Sequence, residues 1–266
     1  MTLRHIPSSN ISNSSIDLSV VIPAFNEAKN IPPLIEALVA SLKPMTINYE
    51  IIFVNDGSKD DTLKVLQQYS DLYPEVGYLS LSQNYGHQVA LLAGLKRSQG
   101  HVVISMDSDF QHPPELLPDI YKTWQENFSD VIQTRRKTKL KGESRLKQIL
   151  SLSFYKAMNL IFNCKLVESG ADFRLMGPKL IEDFRKNKRD SIFLRGFCAK
   201  ADYKTVIYDF NVDPRLYGKS KYTLFKQIEL AILGLKEIIL SPKEQTMSKI
   251  KIAHYQSSQS REKVAA

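Results

Sequence analysis

Two carboxylates one residue apart, Asp107 and Asp109, close an apolar run in "ISMDSDFQHPPE" (residues 104–115); Gln111, His112, two prolines and Glu115 follow. Two chemistries suit such a stretch. Aspartate ahead of a helix caps its free N–H groups. Alternatively, a hard divalent cation such as Mg²⁺ or Mn²⁺ takes carboxylate oxygens and fills its other positions with phosphate and water. In an extended chain, the first and third residues of Asp-x-Asp point the same way. Such triplets are common in turns, so the surroundings must decide between the two.

Those surroundings are ordered. Runs rich in Val, Ile and Leu occur at 18–24, 49–55, 76–82, 101–107 and 130–134, and helical patterns fill roughly 28–42, 60–71, 86–97 and 113–127. Nearly continuous apolar runs mark strands buried on both faces. Their alternation with helices predicts an α/β fold, a mainly parallel sheet flanked by helices. Ligands of such sheets bind beyond the carboxyl ends of the strands. Four of those ends are polar: Asn26-Glu27, Asn55-Asp56-Gly57-Ser58, Gln83-Asn84-Tyr85-Gly86 and Asp107-Ser108-Asp109. Any one could be a helix cap, but four on one sheet edge favour a site. No G-x-G-x-x-G or glycine-lysine phosphate loop is present, which disfavours dinucleotide oxidoreductases and P-loop NTPases.

Composition narrows the partners. With 43% hydrophobic and 24% charged residues over 266 positions, the chain reads as an ordinary globular protein with a sizeable core. The net charge of +8 attracts anions such as nucleotides, phosphates or acidic lipid heads. Two cysteines, Cys164 and Cys198, exclude a disulfide framework and a zinc site, and read as free thiols. Residues 1–16 lack the apolar core of a signal peptide and read as a flexible lead. No stretch reaches 18 uninterrupted apolar residues. After residue 135 the pattern changes: "RRKTKLKGESRLK" (135–147) gathers seven basic residues around Glu143. A further strand is expected at 205–212, and residues 241–266 read as a polar, mobile tail.

"VVIPAFNEAKNI", "IIFVNDGSKDDT", "LSQNYGHQVALLAGL", "MDSDFQHPPE", "DFRLM", "FLRG" and "YGKSKY" occur in that order. Together they resemble the family-2 glycosyltransferases, and within them the polyprenyl-phosphate glycosyltransferases (dolichol-phosphate mannosyltransferase and undecaprenyl-phosphate glucosyltransferases). The resemblance covers residues 18 to 225. It implies a GT-A domain over 17–225, with a nucleotide-sugar-binding half (17–134) and an acceptor half (135–225). It also implies a nucleotide-sugar donor, Mg²⁺ or Mn²⁺, and inverting transfer. By motif, Pro23, Ala24, Asn26, Glu27 and Asp56 would line the nucleoside pocket. Asp107, Ser108, Asp109 and Gln111 would face the diphosphate, with Asp107, Asp109 and Gln111 as metal contacts. Asp172 and Arg174 would sit by the reacting sugar, and Arg215, Ser220 and Lys221 would belong to a loop closing over the diphosphate.

The acceptor decides what Asp172 must do. A sugar hydroxyl is too weak an acid to react without a base. A phosphate monoester, with a second pKa near ~6, is already an anion at neutral pH. With a lipid phosphate, Asp172 could therefore orient Arg174 or the sugar instead of accepting a proton. Arg135, Arg136, Arg145 and Ser151 are candidates for that acceptor phosphate, because arginine contacts phosphate bidentately; a solvated basic loop at an anionic membrane surface is the other reading of the run.

Many bacterial members of the family continue into two transmembrane helices after the "SKY" loop, whereas this chain offers a single amphipathic segment at 222–240. That segment suits core packing or dimer formation, with a membrane interface as the other use. His87 and His112 could approach the donor or serve as structural histidines, and Trp124 reads as core. The favoured expectation is transfer from a nucleotide-diphospho-sugar to polyprenyl phosphate, in a cytoplasmic protein resting peripherally on the cytoplasmic membrane face. Transfer to a saccharide hydroxyl in cell-surface polysaccharide synthesis is the first alternative. A catalytically silent nucleotide-sugar-binding partner of a membrane subunit is the second. A general nucleic-acid binder would explain the charge but none of the ordered motifs.

Overall fold

The computed structural model describes residues 16–137, 156, 159–160, 166–167, 170–186, 194–199, 202–211 and 252–256. They form one eight-stranded sheet. The strands are β1 (Leu18–Ala24), β2 (Tyr49–Asn55), β3 (Val76–Leu81), β4 (Val102–Ser105), β5 (Val131–Arg136), β6 (Gly170–Met176), β7 (Thr205–Phe210) and β8 (Ile252–Gln256). Their spatial order is β7-β5-β6-β4-β1-β2-β3-β8. Parallel pairing joins β4, β1, β2 and β3, and also β5 with β7. β6 runs antiparallel between β4 and β5, and β8 antiparallel along β3.

The apolar runs are buried on both faces because alternate side chains feed two separate cores. Leu18, Val20 and Ile22 of β1 pack with Ile51 and Phe53 beneath α1 (Ile31–Leu42), α2 (Thr62–Leu72) and α4 (Leu117–Asn127). Val21, Ile52 and Val54 point the other way. There they meet α3 (His87–Arg97), α5 (Pro178–Lys186) and α6 (Leu194–Cys198). Gly94 lets α3 lie directly on β1, since a Cβ at that position would come within 2.4 Å of Val21 Cγ1.

Two expectations are corrected, and one strand is new. β4 stops at Ser105, two residues short of Asp107, so Asp107 and Asp109 lie in a turn and not on an extended strand. Phe110 in that turn has φ 64°, so the simple alternation expected of Asp-x-Asp does not apply. β6 was not foreseen because two charged residues interrupt its apolar pattern. Ala171, Phe173 and Leu175 enter one core while Asp172 and Arg174 alternate with them. Finally, residues 252–256, within the segment read as a mobile tail, form a strand along the β3 edge. The segments 138–155, 212–251 and 257–266 lie outside the described residues, and with them Arg145, Ser151, Arg215, Ser220, Lys221 and the amphipathic segment at 222–240.

Candidate active site

At the carboxyl ends of β1 and β2, the two loops are hydrogen-bonded into one surface. Pro23 and Ala24 finish β1 as buried residues. Asn26 follows with φ 55°. Its backbone N–H donates to Ser58 Oγ (2.9 Å), and its Oδ1 accepts from the Lys59 N–H (2.8 Å). The Glu27 N–H donates to Thr62 Oγ1 (2.9 Å), and the Glu27 carboxylate accepts from Asn30 Nδ2. Asn26 and Glu27 therefore share one surface with the "NDGS" turn and the start of α2, and Pro23 and Ala24 lie buried behind it.

Asp56 lies beneath that surface, 2% exposed. Its two carboxylate oxygens accept the N–H groups of Tyr85 (2.7 Å) and Gly86 (2.9 Å). Burial raises the pKa of this carboxyl, with the two peptide donors and His87 acting in the opposite direction. Gly57 is required beside it: its φ is +64°, and a Cβ there would sit 2.2 Å from the Gln83 carbonyl carbon. The observed work of Asp56 is thus to fix the 83–86 loop, which sets the start of α3.

His87, the first residue of α3, points its Nε2 between two carboxylates. It lies 3.6 Å from Asp107 Oδ1 and 3.9 Å from Asp172 Oδ2. The antiparallel register explains the meeting. Ser105 opposes Arg174 and its Oγ donates to the Asp172 carbonyl (2.7 Å), so the turn that follows β4 begins beside Asp172. The positive end of the α3 backbone dipole faces the same place, which suits negative charge there. Ser108 is nearly buried, and the backbone N–H of Gln111 donates to Asp109 Oδ1 (3.1 Å).

Asp172 is held by two guanidinium groups. Its Oδ1 accepts from Arg174 Nη2 (2.6 Å) and Arg195 Nε (2.9 Å), and its Oδ2 from Arg195 Nη2 (3.1 Å). Burial alone would push this carboxyl up. Arg195 and Arg174 outweigh it and hold Asp172 well below the usual carboxylate range. Arg174 is 1% exposed, while Arg195 on α6 is accessible. Of the expected acceptor-phosphate residues, Arg135 makes a two-pronged ion pair with Asp209 (2.7 and 2.9 Å). Arg136, on the opposite face of β5, has a buried Nε with no hydrogen-bond partner.

Sequence reasoning gave Arg195 no role, although "FLRG" stood among the ordered motifs. It also left His87 and His112 undecided, because nothing in the sequence shows the β4–β6 pairing that brings them to the carboxylates.

Among the described residues, no group of three or more His, Cys, Asp and Glu side chains is arranged to hold a metal ion. That is compatible with Mg²⁺ or Mn²⁺, which are commonly bound through one or two carboxylates and completed by substrate phosphate and water. Asp107 and Asp109 fit that donor set, since both carboxylates lie in the turn beyond β4 and the Asp107 side chain is 29% exposed.

A parallel sheet with an antiparallel insertion and polar strand ends is the plan of a GT-A glycosyltransferase, and the sequence comparisons agree. Residues 19–185 match glycosyl transferase family 2, and the chain belongs to that family of glycosyltransferases. It is 36% identical over 228 residues to an uncharacterized glycosyltransferase of Synechocystis, covering 86% of this chain and 71% of that protein. It is 33% identical over 227 residues to the bactoprenol glucosyl transferase of Shigella phage SfV, covering 85% and 73%. Among solved structures, it is similar to glucosyl-3-phosphoglycerate synthase from Mycobacterium tuberculosis in complex with Mn²⁺, UDP-glucose and phosphoglyceric acid. That likeness has a TM-score of 0.53 at 17% identity, covers 99% of this chain and 98% of the other, and concerns the fold alone. No helix among the described residues is long and apolar enough to cross a membrane.

Proposed function

We propose that this glycosyltransferase moves a sugar, with inversion, from a nucleotide-diphospho-sugar of the UDP-glucose or GDP-mannose type to a polyprenyl phosphate. The observation that carries this reading is the state of Asp172. A carboxylate clamped by Arg174 and Arg195 has little affinity for a proton and makes a poor general base. A hydroxyl acceptor needs such a base, whereas an anionic phosphate brings its own nucleophilic oxygen. The bactoprenol glucosyl transferases among the relatives support the same acceptor class.

In this reading Asn26 and Glu27 receive the nucleoside over a floor formed by the buried Pro23, Ala24 and Asp56, and Ser108 faces the diphosphate. Asp107, Asp109 and Gln111 would hold Mg²⁺ or Mn²⁺. When bound, the cation supplies positive charge to the departing diphosphate. Arg215, Ser220 and Lys221 close over the same phosphates and add charge where it develops. Asp172 stays ionised and orients its two arginines, leaving Arg195 accessible towards the reacting groups. Arg136, Arg145 and Ser151 receive the acceptor phosphate on the cytoplasmic membrane face, and Arg135 contributes if its pair with Asp209 opens.

One observation favours the saccharide alternative: the imidazole of His87, within 3.9 Å of Asp172, is a base that a hydroxyl acceptor could use. Purified protein with Mn²⁺ and a panel of nucleotide sugars, offered either polyprenyl phosphate or saccharides, separates the two. Product on polyprenyl phosphate is expected. Product on saccharides alone would overturn the proposal.

A further inference from the structure

His112 lies in the turn that carries the paired aspartates, and it is fully buried, 0% exposed. Its ring stacks on Phe173 (centroids 5.0 Å, 15° between planes) and meets Phe210 edge-on. Its Nδ1 accepts the backbone N–H of Asp107 at 2.9 Å. An imidazole nitrogen that accepts carries no proton, so in the neutral ring the proton sits on Nε2. That second nitrogen is buried and has no hydrogen-bond partner. The nearest carboxylate oxygen is Asp107 Oδ2, 3.6 Å away, just outside bonding distance.

A buried donor left unpaired is costly, and natural structures rarely keep one without a reason. Here a small rotation of the Asp107 carboxylate would close the gap. Oδ2 would then be tied to His112, and Oδ1 would remain on the side of His87 and the open strand ends. After that rotation the same ring would hold Asp107 twice, at the peptide nitrogen, where it already bonds, and at the carboxylate. The aromatic stack prevents the ring from turning away.

We propose that His112 is a positioning residue that fixes the orientation of the Asp107 carboxylate, so that its free oxygen is presented to a divalent cation held with the donor diphosphate. Partners of this kind, one bond behind a metal ligand, typically change metal affinity about 10–100-fold when removed. The inference rests on the metal reading of Asp107 and Asp109 given above.

Two substitutions separate the roles of the two nitrogens. His112→Asn keeps an acceptor near the Nδ1 position and loses the Nε2 donor. His112→Gln keeps a donor near Nε2 and loses the Nδ1 acceptor. Mn²⁺ binding in the presence of UDP or GDP, with no acceptor added, is read by electron paramagnetic resonance, and folding is checked by thermal unfolding. Both variants lose the ring stack, so both should unfold at lower temperature. His112→Asn should weaken Mn²⁺ about tenfold or more, and His112→Gln should recover part of that loss. Equal Mn²⁺ affinity in wild type and folded His112→Asn overturns the proposal, as does an equal loss in both variants. Asp109→Asn is the control for the underlying reading. If wild type itself binds no Mn²⁺ with either nucleotide, the metal reading and this proposal fall together. If wild type binds and Asp109→Asn does not, while His112→Asn binds like wild type, only the positioning role fails.

Discussion

At the scale of single residues, Asp172 joins chemistry to stability. Its carboxyl is depressed in the folded protein, whereas in an unfolded chain an aspartate titrates near ~3.9. A depressed acid contributes stability that is fully present above the unfolded value and is lost as pH falls below it towards the folded value. The free energy of unfolding should therefore fall more steeply below about pH 4 in wild type than in Asp172→Asn. Denaturant titrations from pH 3 to 7 measure this, and equal slopes would remove the two ion pairs from the account of stability. Asp109 allows a functional counterpart. Its side chain accepts the Gln111 N–H within a local turn and carries no part of either core. Asp109→Asn should thus leave the unfolding temperature near that of wild type and reduce metal-dependent donor turnover at least 100-fold by our proposed reading, in line with lost charge stabilisation of a leaving group. Retained turnover would refute the metal role of this residue.

At the scale of elements, the site depends on loops held from below. The "NDGS" turn packs against the 83–86 loop through Gly57, and Asp56 ties down the peptide nitrogens of that loop. Gly57→Ala meets both obstacles, a left-handed backbone and a Cβ inside van der Waals contact with Gln83. The backbone strain alone should cost about 1–3 kcal/mol. The start of α3 should shift with the loop, and with it the approach of His87 to Asp107 and Asp172. Thermal unfolding and donor-binding affinity check the two parts of this expectation, and a variant of wild-type stability would show that the loop gives way freely. The β4–β6 pairing is the other determining element. Because β6 enters antiparallel between β4 and β5, residues 107 and 172 end side by side although 65 positions separate them in the chain. Register is well specified here, as a slip of one residue would carry Ala171, Phe173 and Leu175 out of the core and drive Asp172 and Arg174 into it.

At the scale of the whole molecule, net charge is the relevant quantity. A charge of +8 should attract the protein to anionic membrane surfaces over a distance comparable to the Debye length, about 10 Å at 0.1 M salt. Co-sedimentation with vesicles containing anionic lipid should be measurable at low ionic strength and should weaken several-fold by 0.5 M salt. Binding that is absent at low salt, or indifferent to salt, would rule out surface electrostatics as the means of reaching a lipid acceptor.

The sequence by itself determined the first five strands, the four helices between them, and the edge of the sheet where a ligand belongs. Those elements are local: continuous apolar runs and helical periodicity are visible without knowing what packs against what. It also determined the family, because seven short motifs in fixed order are written directly in the chain. It could not reveal β6, where Asp172 and Arg174 interrupt the apolar pattern that marks a buried strand, nor the strand that 252–256 adds to the β3 edge. Only the tertiary structure decided that His87 stands between Asp107 and Asp172, that Arg195 shares Asp172 with Arg174, and that His112 grips Asp107 from beneath. The reason is physical. These contacts depend on strand order and register, and pairings between distant segments are chosen by the packing of two whole cores, not by any residue's immediate neighbours.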